Sequence, residues 1–362
     1  MSNGLDDVVA AETVLSDVDG NAGRLIIRGK ALSEISGRWS YEDVVALLFY
    51  GFFDDLPHGE KLTRAIGAAR SQVFEGLASS VETLAAIPLY DGVRAGVAML
   101  PDGHGLDDAL RLVAAPAVLT AALLRSRNGN PLIKPDPSIG HAEDMLRMAG
   151  REDAEGRLSQ GLDAYLVTVC DHGLNASTFA ARVVSSTHAG LTAAVLAGMS
   201  ALKGPLHGGA PGPIIEMLDE IAQEGNARQL LQTKVRSGAR LMGFGHRIYK
   251  TRDPRADALK AALERLHDLP AVKERLAFAE LVEKEALSVL RSEKPHRSLD
   301  TNVEFFTALL LEAVGFPPEA FTCIFAAGRI AGWIAHAREQ YQNGRLIRPQ
   351  SRYVGPVVSA AA

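Results

Sequence analysis

Three observations predict a mostly helical, two-domain protein with a short N-terminal β-hairpin. The chain has 362 residues, more than one ordinary small domain holds and enough for two. Ala and Leu dominate while aromatic residues make up only 6%, a balance that favours helices over sheets. Beyond Arg28, apolar residues recur at helical spacing in almost every segment, and the segments stop at Gly or Pro.

The elements follow in order. Thr13–Ser16 and Leu25–Arg28 are short β-prone runs on either side of Asp17–Gly23, a turn rich in Asp, Asn and Gly, and read as a hairpin. Tyr41–Tyr50 reads as a helix with Val44, Val45, Leu47 and Leu48 on its apolar face. Helical spacing then covers Leu106–Arg125, Ala154–Val169, the long stretch Ala176–Leu202 and Ile214–Gln223. It continues through Leu230–Met242, Ala256–Leu266, Val272–Leu290, Val303–Ala313 and Pro318–Tyr341. The breaks fall at Asn128–Pro131, Lys203–Pro205, Gly208–Pro213, Gly243–Gly245, Lys294-Pro295 and Gly315–Pro318. No repeat of fixed period is present.

Composition excludes several functions. A net charge of −5 offers no basic excess for nucleic acid or an anionic membrane surface. Two cysteines, Cys170 and Cys323, build neither a disulfide framework nor a four-ligand zinc site. Met1–Ala10 is acidic and lacks a charged-then-apolar signal pattern. The uncharged apolar stretches Leu112–Leu124 and Ala189–Leu202 read as too short and too rich in small residues to span a bilayer. The expectation is a soluble cytoplasmic protein that needs no metal and no nicotinamide cofactor, since it shows no ligand cluster and no dinucleotide glycine motif.

Chemistry belongs at the breaks, where backbone polar groups are free and side chains converge. Three breaks hold a reactive residue. His207 lies in Gly204-Pro205-Leu206-His207-Gly208-Gly209, where glycines let a ligand approach the backbone. His246 lies in Gly243-Phe244-Gly245-His246-Arg247-Ile248-Tyr249-Lys250, followed by Asp253-Pro254-Arg255. Glu304 opens an apolar helix in Asn302-Val303-Glu304-Phe305. Each alone has an ordinary structural reading: a His beside Gly is a turn residue, and a first-turn Glu complements the helix dipole. Two such histidines and an acid together form a constellation, but spacing alone names no reaction.

The residues around these breaks resemble the citrate synthase family. The matching stretches are Asp171–Phe179, Leu202–Gly209, Gly243–Arg255, Thr301–Phe305, Phe325–Trp333 and Leu346–Pro349, in family order. The similarity runs from Leu15–Gly29 to the last dozen residues. It implies an all-α dimer with a large domain over 1–209 plus 315–362, and a small domain over 210–314 that closes over the substrates. It implies a condensation in which an acyl-CoA, most simply acetyl-CoA, loses a proton and attacks the keto carbon of oxaloacetate. Thioester hydrolysis then gives citrate and free CoA, with coenzyme A entering as part of the substrate and no separate cofactor.

By the same resemblance Glu304 is the base, His207 the donor to the thioester oxygen and His246 the partner of the keto oxygen. Arg255, Arg329 and Arg348 bind the oxaloacetate carboxylates, with a further hydrogen bond from His172. Arg348 corresponds to the residue that reaches into the neighbouring subunit's site of a homodimer. Lys250 matches a family cation for CoA, and Arg247 and Arg297 are further CoA candidates.

Four places depart from the family pattern. Glu304 stands where familiar members have Asp, Asp300-Thr301 replaces an aromatic–Pro pair, Ala210-Pro211 replaces Ala-Asn, and Thr187–Gly190 lacks an acidic residue. Alternatives to a citrate synthase are a 2-methylcitrate synthase using propionyl-CoA and a non-catalytic homologue that binds a CoA ester or a dicarboxylate. A citryl-CoA-cleaving lyase ranks behind them, because the arginines and both histidines are present.

Overall fold

The computed structural model describes residues 4–5, 8–208 and 212–356. The hairpin forms as expected: β1 (Ser16–Asp19) pairs antiparallel with β2 (Arg24–Ile27), Ser16 opposite Ile27 and Asp19 opposite Arg24. A two-residue β3 (Lys30–Ala31) adds to β2. The first strand lies three residues later than Thr13–Ser16. Its turn closes late because the Asp19 carboxylate accepts the N–H groups of Asn21 (3.0 Å) and Ala22 (2.9 Å), leaving Asp17 and Val18 in the strand.

Sixteen α-helices follow among the described residues. They are α1 (Leu32–Ile35), α2 (Tyr41–Phe49), α3 (Glu60–Leu77), α4 (Val81–Ala85), α5 (Leu89–Ala98), α6 (Leu106–Arg127), α7 (His141–Met148) and α8 (Arg157–Val169). Then come α9 (Ala176–Ser185), α10 (Leu191–Leu202), α11 (Gly212–Glu224), α12 (Ala227–Arg236), α13 (Pro254–Glu264), α14 (Pro270–Glu293), α15 (Val303–Ala313) and α16 (Phe321–Asn343). The all-α fold class holds, with its small sheet at the N-terminus.

Two expectations change. The helix read as continuous over Ala176–Leu202 is two helices. At the break, the hydroxyls of Ser186 and Thr187 bond back to the carbonyls of Val183 and Val184, both at 2.7 Å, and His188 adopts φ +63°. The Asp102 carboxylate then accepts the N–H groups of Thr192 (2.9 Å) and Ala193 (3.3 Å), starting α10 afresh. The apolar stretch Leu112–Leu124 lies inside α6. That helix, like residues 318–343, is long and apolar enough to cross a membrane by length and composition. Both are largely buried within the fold, so they serve as core helices.

α16 is the centre of the molecule. Trp333, Arg329 and His336 on it are almost fully buried, and it packs against α6, α8, α9 and α10. α3, α4 and α5 cover α6. Within 212–314, α13 and α11 pack on α15, and α12 packs on α14. α13 also lies against α8, which brings this segment onto the rest of the chain beside α16. The chain leaves α15 through Gly315, whose φ of +89° favours glycine. The expected boundary at Gly209–Ala210 and the Ala210-Pro211 departure lie outside the described residues.

Candidate active site

The site is framed by helix starts. Asp253 caps α13, with Pro254 at the first helical position, its carboxylate accepting the Arg255 N–H at 3.0 Å. The same carboxylate grips the Arg255 guanidinium at 3.0 and 2.8 Å and accepts the Val303 N–H at 3.2 Å. One buried acid therefore ties the N-termini of α13 and α15 together. Asn302 caps α15, accepting the Glu304 N–H at 3.0 Å, and its amide donates to the Gly245 carbonyl at 2.8 Å. Gly245 N–H bonds Asp300 O (2.7 Å) and Asn302 N–H bonds Gly243 O (2.9 Å), so 243–245 and 300–302 run as an antiparallel pair. His246 and Glu304 emerge from the ends of that pair.

The histidines are neutral donors. His246 Nδ1 accepts the N–H groups of Ile248 (3.0 Å) and Tyr249 (3.1 Å), which places its proton on Nε2. Arg255 Nη2 lies 3.2 Å from that Nε2. Both atoms are donors, so the pair is arranged for an acceptor from outside. Burial and then Arg255 pull His246 down to about 4. His172 is buried, with Nε2 3.0 Å from the Tyr249 hydroxyl and its ring edge-on to His246 at 5.7 Å. Burial, Arg255 and Arg329 hold it well below the ordinary range.

His207 Nε2 lies 2.8 Å from Ser177 Oγ. That hydroxyl has one proton and a second acceptor in reach, Asn175 Oδ1 at 2.8 Å. Asn175 Oδ1 already accepts two backbone N–H groups as the cap of α9, and Trp333 Nε1–H donates to Ser177 Oγ at 3.1 Å. Turned onto His207 Nε2 instead of Asn175 Oδ1, that proton leaves Nδ1–H as the imidazole's donor. Burial and the nearby Arg329 lower His207 to about 4.

The three arginines differ. Arg329 is fully buried on α16; its Nε donates to Val169 O, its guanidinium stacks 4.7 Å from the Phe325 ring, and its Nη2 has no partner. Burial lowers it to about 10, with Asp171 as the principal opposing charge. Arg255 is buried and paired with Asp253. Arg348 is exposed, in an extended tail anchored by a bond from Ile347 N–H to Ser186 Oγ at 3.0 Å, and it touches none of the other candidates in this chain among the described residues.

Glu304 is half-buried, and its carboxylate accepts no hydrogen bond from the described residues. Burial raises its proton affinity above the usual carboxylate value, opposed by Arg240 and Arg255. Lys250, Arg247 and Arg297 are exposed. Ser298 Oγ donates to Lys250 O at 2.6 Å, and Lys250 Nζ reaches Arg247 O at 3.5 Å. Arg247 and Lys250 thus belong to the His246 loop, and Arg297 to a segment hydrogen-bonded to it. No group of His, Cys, Asp or Glu among the described residues could hold a metal ion.

Sequence reasoning missed Asp253, Ser177, Tyr249 and Asp171 as parts of the site. Asp253 carried a readable signal, an Asp immediately before a helix-starting Pro. Ser177 carried one in its place two residues after the capping Asn175. Tyr249 and Asp171 carried none, since their partners come from distant segments.

The profile described as citrate synthase, C-terminal domain, matches residues 4–350. A citrate synthase of Haloferax volcanii is 34% identical, covering 98% of this chain and 96% of its own. A citrate/2-methylcitrate synthase of Bacillus subtilis is likewise 34% identical, covering 98% and 96%. The solved ternary complex of citrate synthase from Thermoplasma acidophilum with carboxymethyl coenzyme A and oxaloacetate superposes with a TM-score of 0.86 at 30% identity, covering all of this chain and 98% of that one.

Proposed function

The chain belongs to the citrate synthase family, and from that premise we propose that it condenses acetyl-CoA with oxaloacetate and hydrolyses the product thioester to citrate and free CoA. One observation carries the reading. Arg329 Nη2 has no partner and His246 Nε2–H faces another donor, Arg255 Nη2, beside His172, while the Glu304 carboxylate accepts no hydrogen bond from the described residues. An oxygen-rich dianion completes the first set and a weakly acidic C–H requires the second.

Glu304 takes a proton from the carbon next to the thioester, its basicity raised by burial. His207 Nδ1–H stabilises the developing enolate oxygen as a neutral donor, as its depressed pKa requires. The enolate carbon attacks the keto carbon of oxaloacetate, and His246 Nε2–H supplies the proton to the keto oxygen. Water then cleaves the citryl thioester. Arg329 and Arg255 hold the carboxylates, and Lys250, Arg247 and Arg297 meet the phosphates of CoA. We read 210–314 as a small domain that closes over this site, excluding water until the carbon–carbon bond has formed. We read the assembly as a homodimer in which Arg348 completes the neighbouring site.

A second reading, 2-methylcitrate synthase activity with propionyl-CoA, is favoured by the similarity to the Bacillus subtilis enzyme named for both products. One methylene changes discrimination in an apolar pocket by only about 1–3 kcal/mol. Thiol release with oxaloacetate, compared as kcat/KM for acetyl-CoA and propionyl-CoA, ranks the two. Absence of thiol release with every acyl-CoA, with binding retained, would leave the non-catalytic homologue.

A further inference from the structure

We propose that strand β1 and its turn are a positioning element for the oxaloacetate site, joining its His172 half to its His246 half through Ser16 and Gly20. The proposal rests on the reading above and adds residues that the motifs do not contain.

On one side, Ser16 brackets His172. Its hydroxyl donates to Asp171 Oδ2 and accepts the Gly173 N–H at 2.9 Å. Asp171 is fully buried and is the principal counter-charge of Arg329 without hydrogen-bonding it, so Arg329 keeps its unpartnered Nη2 for a ligand. Asp171 is held in turn by His336. Arg182 Nη1, which can only donate, lies 2.9 Å from His336 Nδ1, so the His336 proton sits on Nε2 and is donated to Asp171 Oδ2 at 3.3 Å. Arg182 also pairs with Glu339 at 2.6 Å, and Glu339 accepts the Val14 N–H at 2.9 Å. The buried network that holds Asp171 therefore begins and ends on residues 14–16.

On the other side, the turn presses on the His246 loop. Gly20 O accepts the Lys250 N–H at 2.9 Å. A Cβ at Gly20 would lie 2.3 Å from Ile248 O, and one at Gly23 2.8 Å from Thr251 Oγ1. Ile248 and Tyr249 are the residues whose N–H groups set the His246 tautomer. Four strand residues at about 3.3 Å each separate the two attachments, so β1 acts as a short rigid spacer between them. A change at either attachment shifts one half of the dianion site against the other. The Ser16 attachment lies away from the proposed CoA cations, whereas the Gly20 attachment is made to one of them, Lys250, through its backbone.

The test uses the full-length protein with Gly20→Ala, Ser16→Ala and Ser16→Thr. Gly20→Ala and Ser16→Ala should raise the KM for oxaloacetate about 10-fold or more, and in Ser16→Ala the KM for acyl-CoA should stay within about twofold of wild type. Ser16→Thr, which keeps the hydroxyl, should recover most of the loss. Hydrogen exchange gives a readout that needs no substrate: residues 246–252 should exchange faster in Gly20→Ala, and residues 171–175 faster in Ser16→Ala. Unchanged exchange in those segments overturns the proposal, as does an oxaloacetate KM that stays at the wild-type value in folded variants. In Ser16→Ala, a rise in both KM values in parallel with a fall in Tm would also overturn it, showing a general loss of packing. Should the wild type neither bind oxaloacetate nor release thiol, the functional reading fails instead, and the exchange data still decide the role of β1.

Discussion

Burial acts on Glu304 and Arg329 with opposite results: it raises the proton affinity of the acid and lowers that of the guanidinium. Glu304→Gln keeps the size and removes the proton acceptor. We expect kcat to fall by about 10²–10⁴-fold with oxaloacetate binding retained in calorimetry; near-normal turnover would remove Glu304 from the mechanism. Arg329→Ala deletes a charge-assisted bond worth about 1.5–3 kcal/mol, so oxaloacetate affinity should drop by roughly 10–150-fold while acyl-CoA affinity holds. Activity requires Glu304 ionised and His207 and His246 neutral. Burial raises Glu304 above the usual carboxylate range and holds His207 and His246 at about 4, so on acidification the base takes up a proton before the two donors do. The kcat/KM profile should therefore fall on acidification, with Glu304 setting the onset of the loss. Ring signals of these histidines that titrate near the ordinary value of about 6.5 would contradict the neutral-donor assignments. Most of these residues were legible because they sit at Gly- and Pro-marked breaks. Asp253 was half-legible as a cap. Its bond to Val303, 50 positions away, is a property of the packed state that no local pattern carries.

At the scale of elements, helical spacing was a good guide to where helices lie and a poor one to where they stop. Val303–Ala313 was read to the residue. Ala176–Leu202 was read as one helix because its apolar spacing continues across 186–190, with only Gly190 to mark the break. What starts α10 is Asp102, nearly ninety positions upstream, and Gly190 leaves room for it: a Cβ there would fall within 1.9 Å of Asp102 Oδ1. Asp102→Ala should therefore cost about 1 kcal/mol, read as a lower urea midpoint at unchanged slope. A wild-type midpoint would mean that packing alone starts the helix. α3 escaped notice for a related reason. Arg70 interrupts its apolar stripe, and only the fold reveals that Arg70 is buried against Asp144 at 2.7 Å.

At the scale of the whole molecule, Arg348 differs from the other two arginines proposed for oxaloacetate, Arg255 and Arg329, which are buried. Arg348 lies in an exposed, extended tail, as a residue meant for a neighbour would. Arg348→Ala and Glu304→Gln should each be inactive alone. Mixed after subunit exchange, they should recover activity, because a mixed dimer rebuilds one complete site. If exchange is demonstrated and no activity returns, or if an active monomer sediments, the shared site is wrong. The all-α class was accessible from the sequence. The way residues 14–20 reach both halves of the site was not, since it depends on partners near the opposite end of the chain.

That reach has a consequence for how the enzyme is made. Val14 bonds Glu339, 325 positions later, and Tyr41 donates to the carbonyl of Ala327 on the same helix at 2.7 Å. At about 5–20 residues per second, the ribosome takes roughly 16–65 s to deliver the partner that the hairpin awaits. Until then the first strand has no anchor on α16 and the His172 segment has no Arg329 beside it. The oxaloacetate site is thus among the last parts of the molecule to come into being, and a chain broken off before α16 would fold its early helices around a centre that never arrives.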